Sequence, residues 1–265
     1  MRRDVLPGHN FEAVTWGAAQ FVAVGSSQGS GLLIATSPDG VTWTQRPAPG
    51  SAALPDSAVL QDVAWSGGRF VAVGLGVILT SADAVTWAEQ KLPVERWLKG
   101  ATWGASQFVA VGSTRDPSAV RRTIPLILTS PDGVAWTQRS APGSAALNDV
   151  AWSGDRFVAV GDDTILTSPD AVTWSEQKIP VSKGTLLGVT WGASQFVAVG
   201  RAQDPAAALV TIPLILTSPD GVAWSRRTPP ADGSLWAIVW GGSRFVGVGQ
   251  IRSRSYYDAL IVTSP

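Results

Sequence analysis

The chain has 265 residues, 20 of them basic and 20 acidic, with no Cys and a single His. A net charge of zero leaves nothing to recruit nucleic acid or an anionic membrane by bulk electrostatics, so neither is expected as a partner. Without thiols and with one imidazole, neither a disulfide framework nor a metal site nor a cofactor is expected.

From the N-terminus, Arg2 and Arg3 are followed by no apolar run, so no signal peptide is expected. No apolar run exceeds six residues, too few for a membrane span. A Trp followed five residues later by Phe and then by "V-A/G-V-G" then appears six times, at Trp16/Phe21, Trp65/Phe70, Trp103/Phe108, Trp152/Phe157, Trp191/Phe196 and Trp240/Phe245. The spacings of 49, 38, 49, 39 and 49 residues average about 45, the length of a four-stranded propeller blade. Odd copies read "TWGA(A/S)QFVAVG". The second and fourth read "AWSG(G/D)RFVAVG", and the sixth is a looser copy, "VWGGSRFVGVG". The true unit is therefore a pair of about 87 residues repeated three times, a duplicated two-blade ancestor.

Each repeat holds four β-prone segments. In the fourth they are "LNDVAWS", "RFVAVG", "TILTS" and "VTWSEQK", rich in Val, Ile, Thr, Phe and Trp and separated by the turn signals "SGDR", "GDD" and "SPDA". "FVAVG" is apolar throughout, which predicts a strand covered on both faces, as in a blade between two blades. The Trp and Phe of each repeat are read as core. The expected fold is all-β, a six-bladed β-propeller in one domain over 1–265. The blades fall near 8–48, 49–92, 93–141, 142–179, 180–229 and 230–265 plus 1–7. "RRDVLPGHNFEAVTW" (2–16) matches "RRTPPADGSLWAIVW" (226–240), so residues 1–5 are expected to supply a weak outer strand to the sixth blade.

"TSPDGVTWT" (36–44), "TSPDGVAWT" (129–137) and "TSPDGVAWS" (217–225), with "TSADAVTWA" (80–88) and "TSPDAVTWS" (167–175), resemble the Asp-box of BNR, or sialidase-like, repeat propellers. The departures are one residue fewer between Asp and Gly, Trp six rather than seven after Ser, and Ala84 and Ala171 in place of Gly. Ser-Pro-Asp-Gly suits a type I turn whose Asp accepts backbone N–H groups, so Asp39, Asp83, Asp132, Asp170 and Asp220 are read as structural turn residues. The resemblance implies that these turns lie away from any ligand. It also suggests a secreted bacterial protein, although no residue fixes the compartment.

Length variation collects in the connections between second and third strands: 112–126, 200–214 and 249–260. They offer Arg115, Asp116, Arg121, Arg122, Arg201, Asp204, Arg252, Arg254, Tyr256, Tyr257 and Asp258. Four residues before each repeat Trp lie Glu12, Gln61, Lys99, Asn148, Leu187 and Trp236, expected at the channel mouth. Three before it lie Ala13, Asp62, Gly100, Asp149, Gly188 and Ala237. Trp97 and Trp236 stand outside the repeat pattern and suit stacking on a sugar ring. The candidate ligand-binding set is therefore Glu12, Asp62, Trp97, Lys99, Arg115, Asn148, Asp149, Trp236, Arg252, Tyr256 and Tyr257.

The sialidase pattern of an Arg cluster, a Tyr–Glu nucleophile and an acid/base Asp has no counterpart here, so no catalytic residue is assigned. The expected function is a monomeric, non-catalytic binding or scaffold propeller with a carbohydrate or protein ligand. A glycoside hydrolase is the alternative, and it would have to use Glu12, Asp62 and Asp149. A structural or engineered repeat scaffold without a ligand is the third.

Overall fold

The structure, a computed structural model, describes residues 9–27, 31–49, 58–92, 97–119, 122–181, 183–204, 207–229, 232–252 and 257–264. Among them there is no helix, as the β-branched and aromatic segments predict. The strands fall into six antiparallel meanders. The first is β1 (His9–Gly17), β2 (Gln20–Ser27), β3 (Gly31–Ser37) and β4 (Thr44–Arg46), and the second is β5 (Leu60–Trp65), β6 (Phe70–Gly74), β7 (Val77–Ser81) and β8 (Ala88–Glu89). The third is β9 (Trp97–Gly104), β10 (Gln107–Arg115), β11 (Thr123–Ser130) and β12 (Thr137–Arg139), and the fourth is β13 (Leu147–Trp152), β14 (Phe157–Gly161), β15 (Thr164–Ser168) and β16 (Ser175–Glu176). The fifth is β17 (Gly184–Gly192), β18 (Gln195–Asp204), β19 (Ala207–Ser218) and β20 (Ser225–Arg227). The sixth has three described strands, β21 (Ser234–Trp240), β22 (Phe245–Arg252) and β23 (Tyr257–Thr263). The outer strand expected from residues 1–5 lies outside the described residues.

The chain divides into two compact units, Met1–Arg115 with Ile127–Gln138 and Asp116–Leu126 with Arg139–Pro265. In each, "FVAVG" is covered on both faces, with β6 and β14 buried at every position. In the first unit, β2, β3, β6 and β7 place Val22, Ile34, Phe70 and Leu79 in one core. In the second, Val158, Ile165, Phe196 and Leu216 do the same. Each Phe lies against the Trp five residues before it, at ring-centroid distances from 4.1 Å (Trp65/Phe70) to 4.6 Å (Trp191/Phe196). In the fourth blade the Trp of the Ser-Pro-Asp turn closes a second contact on the same Phe, Trp174 on Phe157 at 6.3 Å.

The two-blade period has a steric reason. A Cβ at Gly17 would stand 2.5 Å from the Trp65 ring, and one at Gly192 would stand 2.2 Å from Trp240. In the first and fifth blades the Gly of "TWG" therefore leaves room for the Trp of the blade that follows. Even blades with "WS" use the Ser as a turn cap instead: the Arg69 N–H donates to Ser66 Oγ at 3.0 Å, and Arg156 does the same to Ser153.

Every first strand carries a β-bulge, between Phe11 and Ala13, Leu60 and Asp62, Leu147 and Asp149, Leu186 and Gly188, and Leu235 and Ala237, and in β9 between Leu98 and Gly100. The bulge brings a first-strand carbonyl into the second strand, so the final Gly of "FVAVG" has no room for a side chain. A Cβ on Gly25, Gly74, Gly112, Gly161, Gly200 or Gly249 would stand 1.9–2.1 Å from a carbonyl oxygen.

Candidate functional site

The six residues skipped by the bulges are Glu12, Gln61, Lys99, Asn148, Leu187 and Trp236. They are the same six residues that counting back from the repeat Trp picks out. A bulge turns its residue out of the strand's alternation and so re-aims the side chain. In the first unit Glu12 and Lys99 are exposed and Gln61 is half-buried. In the second, Trp236 is 48% exposed and Leu187 half-buried, but Asn148 is buried. Asn148 Nδ2 donates to the Leu186 carbonyl at 2.8 Å, which joins the fourth blade to the fifth.

Asp62 and Asp149 sit one residue beyond the bulge, and both are engaged by backbone. Asp62 accepts the Val63 N–H on Oδ1 at 2.8 Å and the Ala101 N–H of the next blade on Oδ2 at 2.7 Å. Asp149 repeats this with Val150 at 2.7 Å and Val189 at 2.8 Å. Each carboxylate is thus a clamp between consecutive blades. Burial pushes the Asp62 carboxyl up to about 6, against the opposing pull of its two backbone donors. The sixth blade has Ala237 at this position.

Trp97 is half-buried and lies under the Arg115 guanidinium, 5.9 Å from the ring centroid. Its backbone also bridges to Leu75. The connection 112–126 is more ordered than its loop-like composition predicts, because β10 and β11 continue the ladder into it. At its tip Asp116 accepts from the Ser118 N–H at 2.8 Å and pairs with Arg122 at 3.4 Å, so these charges satisfy one another. The connection 200–214 is likewise a raised hairpin, laddered from Gly200↔Leu214 to Gln203↔Thr211, with Arg201 exposed. Arg252 ends β22 and Tyr257 begins β23; Tyr256, Arg254 and Arg121 lie outside the described residues.

The five turn carboxylates share one geometry. Asp39 Oδ1 accepts the N–H groups of Val41 and Thr42, both at 2.8 Å, and the Ser37 hydroxyl at 3.0 Å, while Ser37 Oγ accepts the Gly40 N–H. Asp83, Asp132, Asp170 and Asp220 each take two backbone N–H groups in the same way. These donors hold the carboxyls below the usual range, Asp83 at about 2. Gly40, Gly133 and Gly221 have φ of 70–77°, and Ala84 and Ala171 adopt the same left-handed backbone at 62° and 58°.

An open groove of about 570 Å³ lies on the second unit, among Asp163, Glu176, Lys178 and Lys183, and none of the candidate ligand-binding residues lines it. Among the described residues no cluster of His, Asp and Glu could hold a metal ion.

No protein-family model matches the chain, and no curated protein matches it. Solved structures do. The virginiamycin B lyase of Staphylococcus aureus is similar at a TM-score of 0.70 and 13% identity, over 97% of this chain and 85% of that one. A streptogramin B lyase gives 0.71 and 11%, over 96% and 83%. The Neurospora crassa Pan2 WD40 domain gives 0.66 and 11%, over 94% and 76%. Likeness at this identity is likeness of fold: the chain is an all-β, six-bladed β-propeller.

Proposed function

We propose that the chain is a non-catalytic binding propeller of the BNR, or Asp-box, kind. Its ligand, a carbohydrate, sits at the end of the blades that carries the bulges and the raised hairpins. The observation that carries this reading is Trp236. A bulge aims it out of the sheet and leaves it 48% exposed, where the first four blades place Glu, Gln, Lys and Asn and the fifth a Leu. A half-exposed indole is a platform for the apolar face of a sugar ring. Glu12, Gln61 and Lys99 offer hydrogen-bonding groups at the same place on their own blades. Of the three carboxylates a hydrolase would need, Asp62 and Asp149 spend both oxygens on backbone N–H groups. That favours binding over hydrolysis.

A glycan-array screen of the purified chain tests the reading. A reproducible hit that disappears with Trp236→Ala supports it. A hit that survives this substitution moves the sugar site away from Trp236, and an array without hits turns the reading toward a protein ligand.

A further inference from the structure

An Asp followed by Gly occurs four times in the chain, at Asp39-Gly40, Asp132-Gly133, Asp220-Gly221 and Asp232-Gly233. Such a pair can close on itself, because Gly has no Cβ to keep its own amide nitrogen from the preceding carboxyl. Three of the pairs are the turns described above, and each is held on both reacting groups. Oδ1 of Asp39, Asp132 and Asp220 accepts two backbone N–H groups apiece, which keeps the carboxyl ionised. The N–H of the following Gly donates to a Ser Oγ, from Gly40 to Ser37 and from Gly133 to Ser130 at 2.8 Å, and from Gly221 to Ser218 at 2.9 Å.

The fourth pair has neither restraint. Asp232 and Gly233 lie between β20 and β21, and Asp232 is exposed. Among the described residues nothing donates to its carboxylate, and no acceptor takes the Gly233 N–H. The backbone also differs: Gly233 has φ of 126°, against 70–77° for the Gly of the three turns. Immediately after it, Ser234 pairs with Gln250 and opens the β21–β22 ladder. There is no slack at that point, since a Cβ on Gly233 would stand 2.2 Å from the Gln250 oxygen.

We propose that Asp232-Gly233 is a self-modification site, where aspartate isomerises to isoaspartate while the three turn pairs are spared. The Gly233 nitrogen bonds to Asp232 Cγ, the carboxyl hydroxyl leaves with the amide proton as water, and a succinimide ring forms. Water then opens the ring. Attack at Cγ restores aspartate, whereas attack at the main-chain carbonyl carbon leaves the chain running through Cβ and Cγ. One water leaves and one enters, so the mass is unchanged. The isoaspartyl form carries a free α-carboxylate and adds one carbon to the main chain directly before Ser234. With no slack against Gln250, the start of β21 has to shift.

The test incubates the intact, folded chain in neutral buffer made with heavy-oxygen water, returns it to ordinary water and cuts it with trypsin. The four pairs fall in four different tryptic peptides, Asp232-Gly233 in residues 228–244. Each ring opening leaves one heavy-oxygen atom in its peptide. Label is expected in 228–244, together with a second chromatographic form of equal mass. Its rate should be at least about tenfold above that of the three turn peptides, whose charge-assisted hydrogen bonds must break first. In denaturant the four peptides should label at similar rates, because the restraints are gone. Asp232→Glu keeps a carboxyl but needs a larger ring, and should leave 228–244 unlabelled. An unlabelled 228–244 in the folded wild-type chain overturns the proposal. So does equal labelling of all four pairs in the folded chain, or label that persists in Asp232→Glu.

Discussion

At the scale of single residues, charge and burial pull the carboxylates two ways. The Asp62 carboxyl stands at about 6 in the folded protein, above its ordinary 3.8. The native state therefore holds the proton that the unfolded chain has released, and this group's contribution to stability falls as pH rises from about 4 through 6. The turn carboxylates run the other way. Their pKa values are lowered, so their contribution is present above about 4 and is lost as pH falls below it. Thermal unfolding followed across pH should show a maximum between about 4 and 6. Asp62→Asn should flatten the limb above the maximum and leave the acid limb in place. An unchanged upper limb would mean that Asp62 is not the group titrating there.

The strands and their turns carry the strongest local constraints. Gly161 closes β14 against the bulge of β13, and a Cβ there would stand 2.0 Å from the Ala146 oxygen. Gly161→Ala should cost at least about 2 kcal/mol in chemical denaturation, because the obstacle is backbone and cannot rotate away. The Phe at the start of the same strand is fully buried between two Trp rings, and Phe157→Ala should cost about 3–5 kcal/mol. The hairpin turns of the odd blades leave room for improvement. Ala105 and Ser106 both hold positive φ, 46° and 59°, in a two-residue turn that favours Asn-Gly. Replacing the pair by Asn-Gly should raise stability by about 1 kcal/mol, read as a higher denaturation midpoint with unchanged slope.

Over the whole molecule, the fold was legible because each blade repeats the same burial problem and solves it with the same Trp, Phe and Val. That pattern persists in a chain sharing 11–13% identity with solved structures of the same fold. Counting back from the repeat Trp also located the bulged residues. It could not reveal the bulges themselves, because an extra residue in one strand leaves no mark on composition. Nor could it assign Asp62 and Asp149, whose second oxygen is taken by an N–H 39 or 40 residues away, on another blade. The raised hairpins read as loops because their Arg, Asp and Pro residues look solvated, while the ladder beneath them is made by backbone. Ala84 and Ala171 look like weakened turn copies, yet they keep the left-handed backbone of the Gly they replace.

The division between clamp and ligand platform is open to one comparison: thermal unfolding of Asp149→Ala beside Trp236→Ala at neutral pH. Loss of the clamp leaves two partly buried N–H groups without their acceptor, and should cost about 1–3 kcal/mol, several degrees in Tm. Truncating the half-exposed Trp236 should leave Tm within about 2 °C. The reverse ranking, a tolerant Asp149 and a Trp236 whose removal unfolds the protein, would contradict that division, placing the carboxylate in the site and the indole in the scaffold.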